Sequence, residues 1–143
     1  MSELFNYSKI TPTLLLGQKI IDQTFHDSLV TEGVTHVINL WSGIPEPIWK
    51  GPVLTLEQQD DGTPRPLEQT KAGVEYASMV EQSKGILYVH CQWGLGRAPS
   101  MTYAILRSRG LSQGNARALI NLERPKCVGC WEHYIPSIEK ALL

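Results

Sequence analysis

The sequence predicts a single α/β domain spanning residues 1–143, with a central, mostly parallel, twisted sheet flanked by helices on both faces. Three observations predict it. Two apolar, β-branched runs, at residues 34–40 (VTHVINL) and 86–90 (ILYVH), read as strands buried on both sides. Segments with apolar residues at helical spacing alternate with such strands. The 143 residues contain no linker, repeat or low-complexity tract. A chain of this length buries roughly 68–70% of its unfolded surface and needs no disulfide or metal staple.

The elements follow in order. Residues 13–16 form a short apolar run ended by Gly17, read as a strand. Asp22 is placed to cap a helix over 23–32, with Gly33 as its stop. The strand at 34–40 then runs into a Gly/Pro-rich loop, and residues 52–56 read as a further strand. Over 66–83, Leu67, Thr70, Val74, Ala77, Met79 and Val80 recur at roughly helical spacing, closed by Gly85. The second buried strand, 86–90, leads to a helix at 99–109 that ends at Gly110. Ser112 caps the next helix, which runs to 123 before Pro125 stops it. Residues 131–142 read as a final amphipathic helix, kinked or delayed by Pro136. The Pro-rich patches at 44–52 and 63–66 read as ordered loops.

Composition narrows the function. With 13 basic and 14 acidic residues the net charge is -1, which lacks the positive excess of a nucleic-acid binder. No apolar run approaches about 18 residues, so no membrane span is expected. The opening MSELFNYSKI is polar and predicts no secretory leader, and the closing EKALL carries no cysteine for a prenyl anchor. Three cysteines are too few for a secreted scaffold; a reducing cytoplasm is the expected setting. No cofactor and no metal are expected, and a monomer is the default expectation for a state the sequence leaves open.

The chemistry concentrates in VHCQWGLGRAPS, residues 89–100, where a buried strand ends and a helix begins. Ligands of open parallel sheets bind at the carboxyl ends of the strands. A helix start after a Gly-rich turn presents free amides and a positive dipole end to an anion. Gly94 and Gly96 allow the turn, and Pro99 suits a first helical turn. At the mouth stands Cys91, where amides, helix end and Arg97 favour the nucleophilic thiolate. The planar fork of Arg97 can hold two oxygens of a phosphate. These parts suit attack on phosphorus, whose transition state spreads charge over oxygens that fixed donors can meet.

His90, Cys91 and Arg97 resemble the His-Cys-x5-Arg signature of the cysteine-dependent protein phosphatases. Residues 10–17 (ITPTLLLG) and 33–40 (GVTHVINL) are similar to the first two strands of the dual-specificity phosphatases. DDGTP at 60–64 and GLGRAP at 94–99 are most similar to the phosphatases of regenerating liver. The resemblance implies that Cys91 forms a phosphocysteine intermediate and that Arg97 clamps the phosphate. It implies that Gln92, Trp93, Gly94, Leu95 and Gly96 cradle it, and that His90 braces the loop without moving a proton. The general acid is expected from the loop at 59–64: Asp61, with Asp60 as the alternative. The implied substrates are phosphotyrosine and phosphoserine or phosphothreonine proteins or peptides. The absence of Lys and Arg within 92–96 favours a singly phosphorylated one.

One departure bears on rate. Ala98 stands where most of the superfamily has Ser or Thr. That hydroxyl assists the departing thiolate, and losing such a bond costs on the order of 1–3 kcal/mol. Breakdown of the intermediate is therefore expected to be slow, as in the regenerating-liver group. The alternatives are a low-activity phosphate-binding or partner-binding module, a phosphatase of a non-protein phosphomonoester, and a rhodanese-like sulfur transferase. The Asp-Gly loop argues against the last, whose chemistry needs no such acid.

Other residues have simpler readings. Cys127 and Cys130 form a C-x2-C pair without a second Cys/His pair at zinc spacing. Two loop thiols is the favoured reading, a redox pair the alternative. Arg124, Lys126 and Arg65 either add positive field near the phosphate or decorate solvated ends. Glu46 is a candidate partner for Arg97, and Trp93 a candidate wall of the pocket entrance.

Overall fold

Strand alternation divides the apolar residues of the sheet between two cores. Leu14, Leu16, Leu87, Val89 and Ile38 face one side, and Leu15, Tyr88 and Val37 the other. The computed structural model describes residues 6–41, 48–57 and 63–143. Its sheet comprises β1 (Tyr7–Thr11), β2 (Leu14–Gln18), β3 (His36–Asn39), β4 (Val53–Thr55) and β5 (Leu87–Cys91). The order is β1-β2-β5-β3-β4; β1 pairs antiparallel with β2, and every other pairing is parallel. On one face lies α1 (Gln23–Thr31), with Phe25 and Leu29 packed on Leu15, Val37 and Tyr88. On the other lie α2 (Leu67–Gln82), α3 (Arg97–Ser108), α4 (Gln113–Glu123) and α5 (Ile135–Leu142). The expected α/β architecture is therefore present.

The capping residues act as the sequence predicts. The Asp22 carboxylate accepts from the Phe25 amide at 2.8 Å, and the Ser112 hydroxyl from Asn115 at 3.1 Å. Three boundaries differ. The expected strand at 13–16 is the second arm of a hairpin whose first arm, β1, has its buried residues Tyr7 and Ile10 separated by Ser8 and Lys9 and so lacks a continuous apolar run. The helix expected from Pro99 begins at Arg97, because a first-turn N–H has no helical partner and proline sacrifices nothing there. The final helix begins at Ile135 rather than 131, after a 3-10 turn at Glu132–Tyr134. Pro136 sits in its first turn, where it avoids a clash with the preceding turn. Among the described residues no helix is long and apolar enough to cross a membrane.

Candidate functional site

The site grows from the central strand. β5 lies between β2 and β3, parallel to both, and all five of its residues are buried. Its last residue is Cys91, paired in register with Gln18 at the end of β2. Six residues later the chain enters α3 at Arg97. Thiol and guanidinium are thus fixed to the end of one element and the start of the next, with a short turn between them.

Cys91 and Arg97 are 2% and 4% exposed. Together with Trp93, Leu95, Gly96 and Cys130 they line a cavity of about 230 Å³. Gly96 is the N-cap of α3, so the helix start opens into this cavity. Trp93 is 56% exposed, an apolar plate at the rim. The Arg97 Nη1 donates to the Leu40 carbonyl at 3.4 Å. His90 is fully buried, stacked on Tyr88 with ring centroids 5.7 Å apart, and its Nδ1 lies 3.3 Å from the Cys91 carbonyl oxygen. His90 is absent from the cavity wall.

Of the expected cradle, Trp93, Leu95 and Gly96 line the cavity, while Gln92 and Gly94 do not. Their carbonyls are engaged elsewhere: Gln92 accepts from the Lys19 amide at 3.3 Å, and Gly94 from Arg124 Nε at 2.7 Å. Gly94 has φ +73°, and a Cβ there would fall 2.6 Å from the Gly17 carbonyl oxygen and 2.7 Å from Arg124 Nη2. Only glycine fits both the left-handed turn and the close approach to β2. The expected acids Asp60 and Asp61, and Glu46, lie outside the described residues.

Three residues gain a place that sequence reasoning left open. Arg124 is 1% exposed rather than at a solvated helix end. It donates to Gly94 and Trp93 carbonyls, to the Ser8 hydroxyl at 3.0 Å and to the Asn6 side-chain oxygen at 2.5 Å. Burial lowers its guanidinium pKa, but an arginine has ample range to stay charged. Arg65 is likewise buried and donates to the Arg97 carbonyl at 2.9 Å and to the Ser100 hydroxyl. Burial presses it down to about 10, still cationic at neutral pH. Cys130, exposed, shares the cavity with Cys91. Its neighbour Cys127 is buried, and burial pushes that thiol up to about 11. The sequence places Arg124 and Arg65 either near the phosphate or at solvated ends and pairs Cys127 with Cys130. It carries no signal that Cys130 meets Cys91, 39 positions away in the chain.

No family model matches the chain, and no curated protein matches it by sequence. Solved structures do match. Human DUSP28 shares 21% identity over 94% of each chain, with a TM-score of 0.82. PTPMT1 in complex with PI(5)P shares 21% identity over 94% of this chain and 93% of that chain, with a TM-score of 0.82. The human tyrosine phosphatase-like serine/threonine/tyrosine-interacting protein shares 19% identity over 94% of each chain, with a TM-score of 0.81. At these identities the likeness establishes a shared fold, that of the dual-specificity phosphatases.

Proposed function

We propose that this chain is a phosphomonoester hydrolase that works through a phosphocysteine intermediate. The observation that carries the reading is the sharing of one cavity by Cys91, Arg97 and the turn between them, at the open end of the central strand. The fold shared with dual-specificity phosphatases supports it.

In this reading the Cys91 thiolate attacks phosphorus as the bond to the ester oxygen breaks. Arg97 and the loop amides meet the charge on the equatorial oxygens. The departing oxygen takes a proton from Asp61, or from Asp60 in the alternative assignment. The resulting carboxylate then takes a proton from water, whose oxygen attacks phosphorus; inorganic phosphate leaves and the thiolate is regenerated. Ala98 gives the returning thiolate no hydroxyl, so this second step is the slow one. Trp93 at the rim suits an aryl ester, and phosphotyrosine peptides are the first substrate class, with phosphoserine and phosphothreonine peptides next.

Two other readings have specific support. Ala98 favours a phosphate-binding module of negligible turnover, and one neighbour is itself named phosphatase-like. A non-protein phosphomonoester is favoured by the neighbour seen with a phosphoinositide. The test is hydrolysis of p-nitrophenyl phosphate, followed by a panel of phosphotyrosine, phosphoserine and phosphothreonine peptides and a phosphatidylinositol monophosphate. Activity lost in Cys91→Ser is the expected result, and a Cys91→Ser protein with unchanged turnover refutes the reading. The ranking within the panel decides the substrate class.

A further inference from the structure

Arg124 is remote in sequence from the phosphate loop, yet nearly all its donors are committed to that loop and to the strand behind it. Its Nε donates to the Gly94 carbonyl at 2.7 Å and its Nη2 to the Trp93 carbonyl at 3.1 Å. Among the described residues every acceptor it uses is neutral, so its positive charge is held inside the protein on carbonyl, hydroxyl and amide oxygens. Desolvating a charge is expensive unless its hydrogen bonds are well satisfied. A residue serving only to fill this space would be more stable as an apolar side chain.

The direction of those bonds matters. A trans peptide holds its C=O and the following N–H on opposite sides of the chain. When the Trp93 carbonyl is drawn to Arg124, the Gly94 N–H faces the other way. When the Gly94 carbonyl is drawn there too, the Leu95 N–H does the same. Arg124 is not part of the cavity wall, whereas Trp93, Leu95 and Gly96 are. The missing Cβ of Gly94 would point at Gly17 and Arg124, marking that side as the outside of the loop. Ser8 and Asn6, which take the remaining donors, anchor the guanidinium to β1 and the residue before it.

We infer that Arg124 is a positioning residue: it grips the outer carbonyls of the phosphate loop and so aims the Gly94 and Leu95 amides at the bound oxyanion. This rests on the anion-binding reading above and adds a role for a residue that touches no substrate. The grip is two-pronged, so lysine, a single flexible point donor, replaces it incompletely.

The experiment measures tungstate affinity of the wild-type chain, Arg124→Met, Arg124→Lys and Arg107→Met, alongside kcat, KM and melting temperature. Arg107 ties α3 to α5 through Glu139 and touches no loop carbonyl between 92 and 96, so Arg107→Met controls for lost stability alone. Arg124→Met is expected to weaken tungstate by on the order of tenfold to a hundredfold, the worth of misdirected charge-assisted bonds. Arg124→Lys falls between, and Arg107→Met binds as wild type despite a lower melting temperature. In amide spectra, tungstate shifts Gly94 and Leu95 in the wild type and not in Arg124→Met; should that variant fail to fold, Arg124→Lys supplies the same comparison. Arg124 variants that bind tungstate as wild type overturn the inference, as does equal weakening in Arg107→Met. Wild-type protein that binds no tungstate overturns the anion-site reading itself, and the inference with it. Tight tungstate binding with turnover surviving Cys91→Ser removes the nucleophile assignment and leaves the inference standing.

Discussion

Three glycine-to-alanine substitutions separate two constraints on the loop between β5 and α3. Gly114 is the second residue of α4, and a Cβ built there meets nothing within 4 Å. Alanine there is expected to stabilise by up to about 1 kcal/mol, since it loses less entropy on folding. Gly110 follows α3 with φ +100°, again with open space around a Cβ. Alanine there bears only the left-handed strain, roughly 1–2 kcal/mol. Gly94 combines φ +73° with contacts to Gly17 backbone atoms, which cannot yield unless β2 and the loop part. Overpacking of this kind costs a further 1–3 kcal/mol or so. Together the Gly94→Ala penalty is about 2–5 kcal/mol, a large share of the roughly 5–15 kcal/mol that holds a typical domain together. For a chain near this length that lowers the melting temperature by on the order of 10 °C. Thermal melts of the three variants, with and without tungstate, are the assay. The expected order is Gly114→Ala at or above wild type, then Gly110→Ala, then Gly94→Ala, with tungstate affinity lost only in the last. A Gly94→Ala protein that melts with Gly110→Ala and binds tungstate normally would refute the close-approach argument.

Other outcomes follow from the same structure. At neutral pH iodoacetamide should label exposed Cys130 and spare Cys127, which is buried and titrates near 11; a bulky maleimide on Cys130 should also block turnover, since that thiol lines the cavity. Peptide mapping reads both. Glu139 is held below the usual carboxylate range by its bidentate bond to Arg107, so its folded state prefers the ionised form. The stabilisation is therefore full above the unfolded carboxyl pKa, near 4.3, and fades as pH falls through the lower folded value. Glu139→Gln should destabilise by about 1 kcal/mol at pH 7, and the gap to wild type should close in acid, as melts across pH would show. Asp61→Ala should remove the limb of the kcat profile that reports the general acid, and Asp60→Ala should keep it; the reverse pattern would move the assignment to Asp60.

The parts of the site that neighbour one another in sequence were legible; those that meet only in space were not. Cys91, Arg97 and the turn between them form one local unit, so spacing and residue type marked them as one candidate anion loop before any fold was known. The parallel core was equally readable, because β3 and β5 are buried on both faces and carry continuous apolar runs. β1 escaped because it is a short edge strand whose two buried residues, Tyr7 and Ile10, are separated by Ser8 and Lys9. For Arg124 and Arg65 the sequence left open a place near the phosphate or a solvated end; their burial depends on acceptors that β1, the loop and α3 bring to them. Cys130 reaches the cavity only through the turn before α5, whose path no local pattern encodes.

In the proposed reaction one sulfur, that of Cys91, takes the phosphoryl group. Rapid mixing with excess p-nitrophenyl phosphate, followed by quenching, digestion and mass spectrometry, tests it directly. The expected result is a phosphoryl group on the peptide holding Cys91, abundant in the steady state because Ala98 slows its release, and absent from Cys91→Ser. A phosphoryl group on any other residue, or steady turnover with none on Cys91, would contradict it.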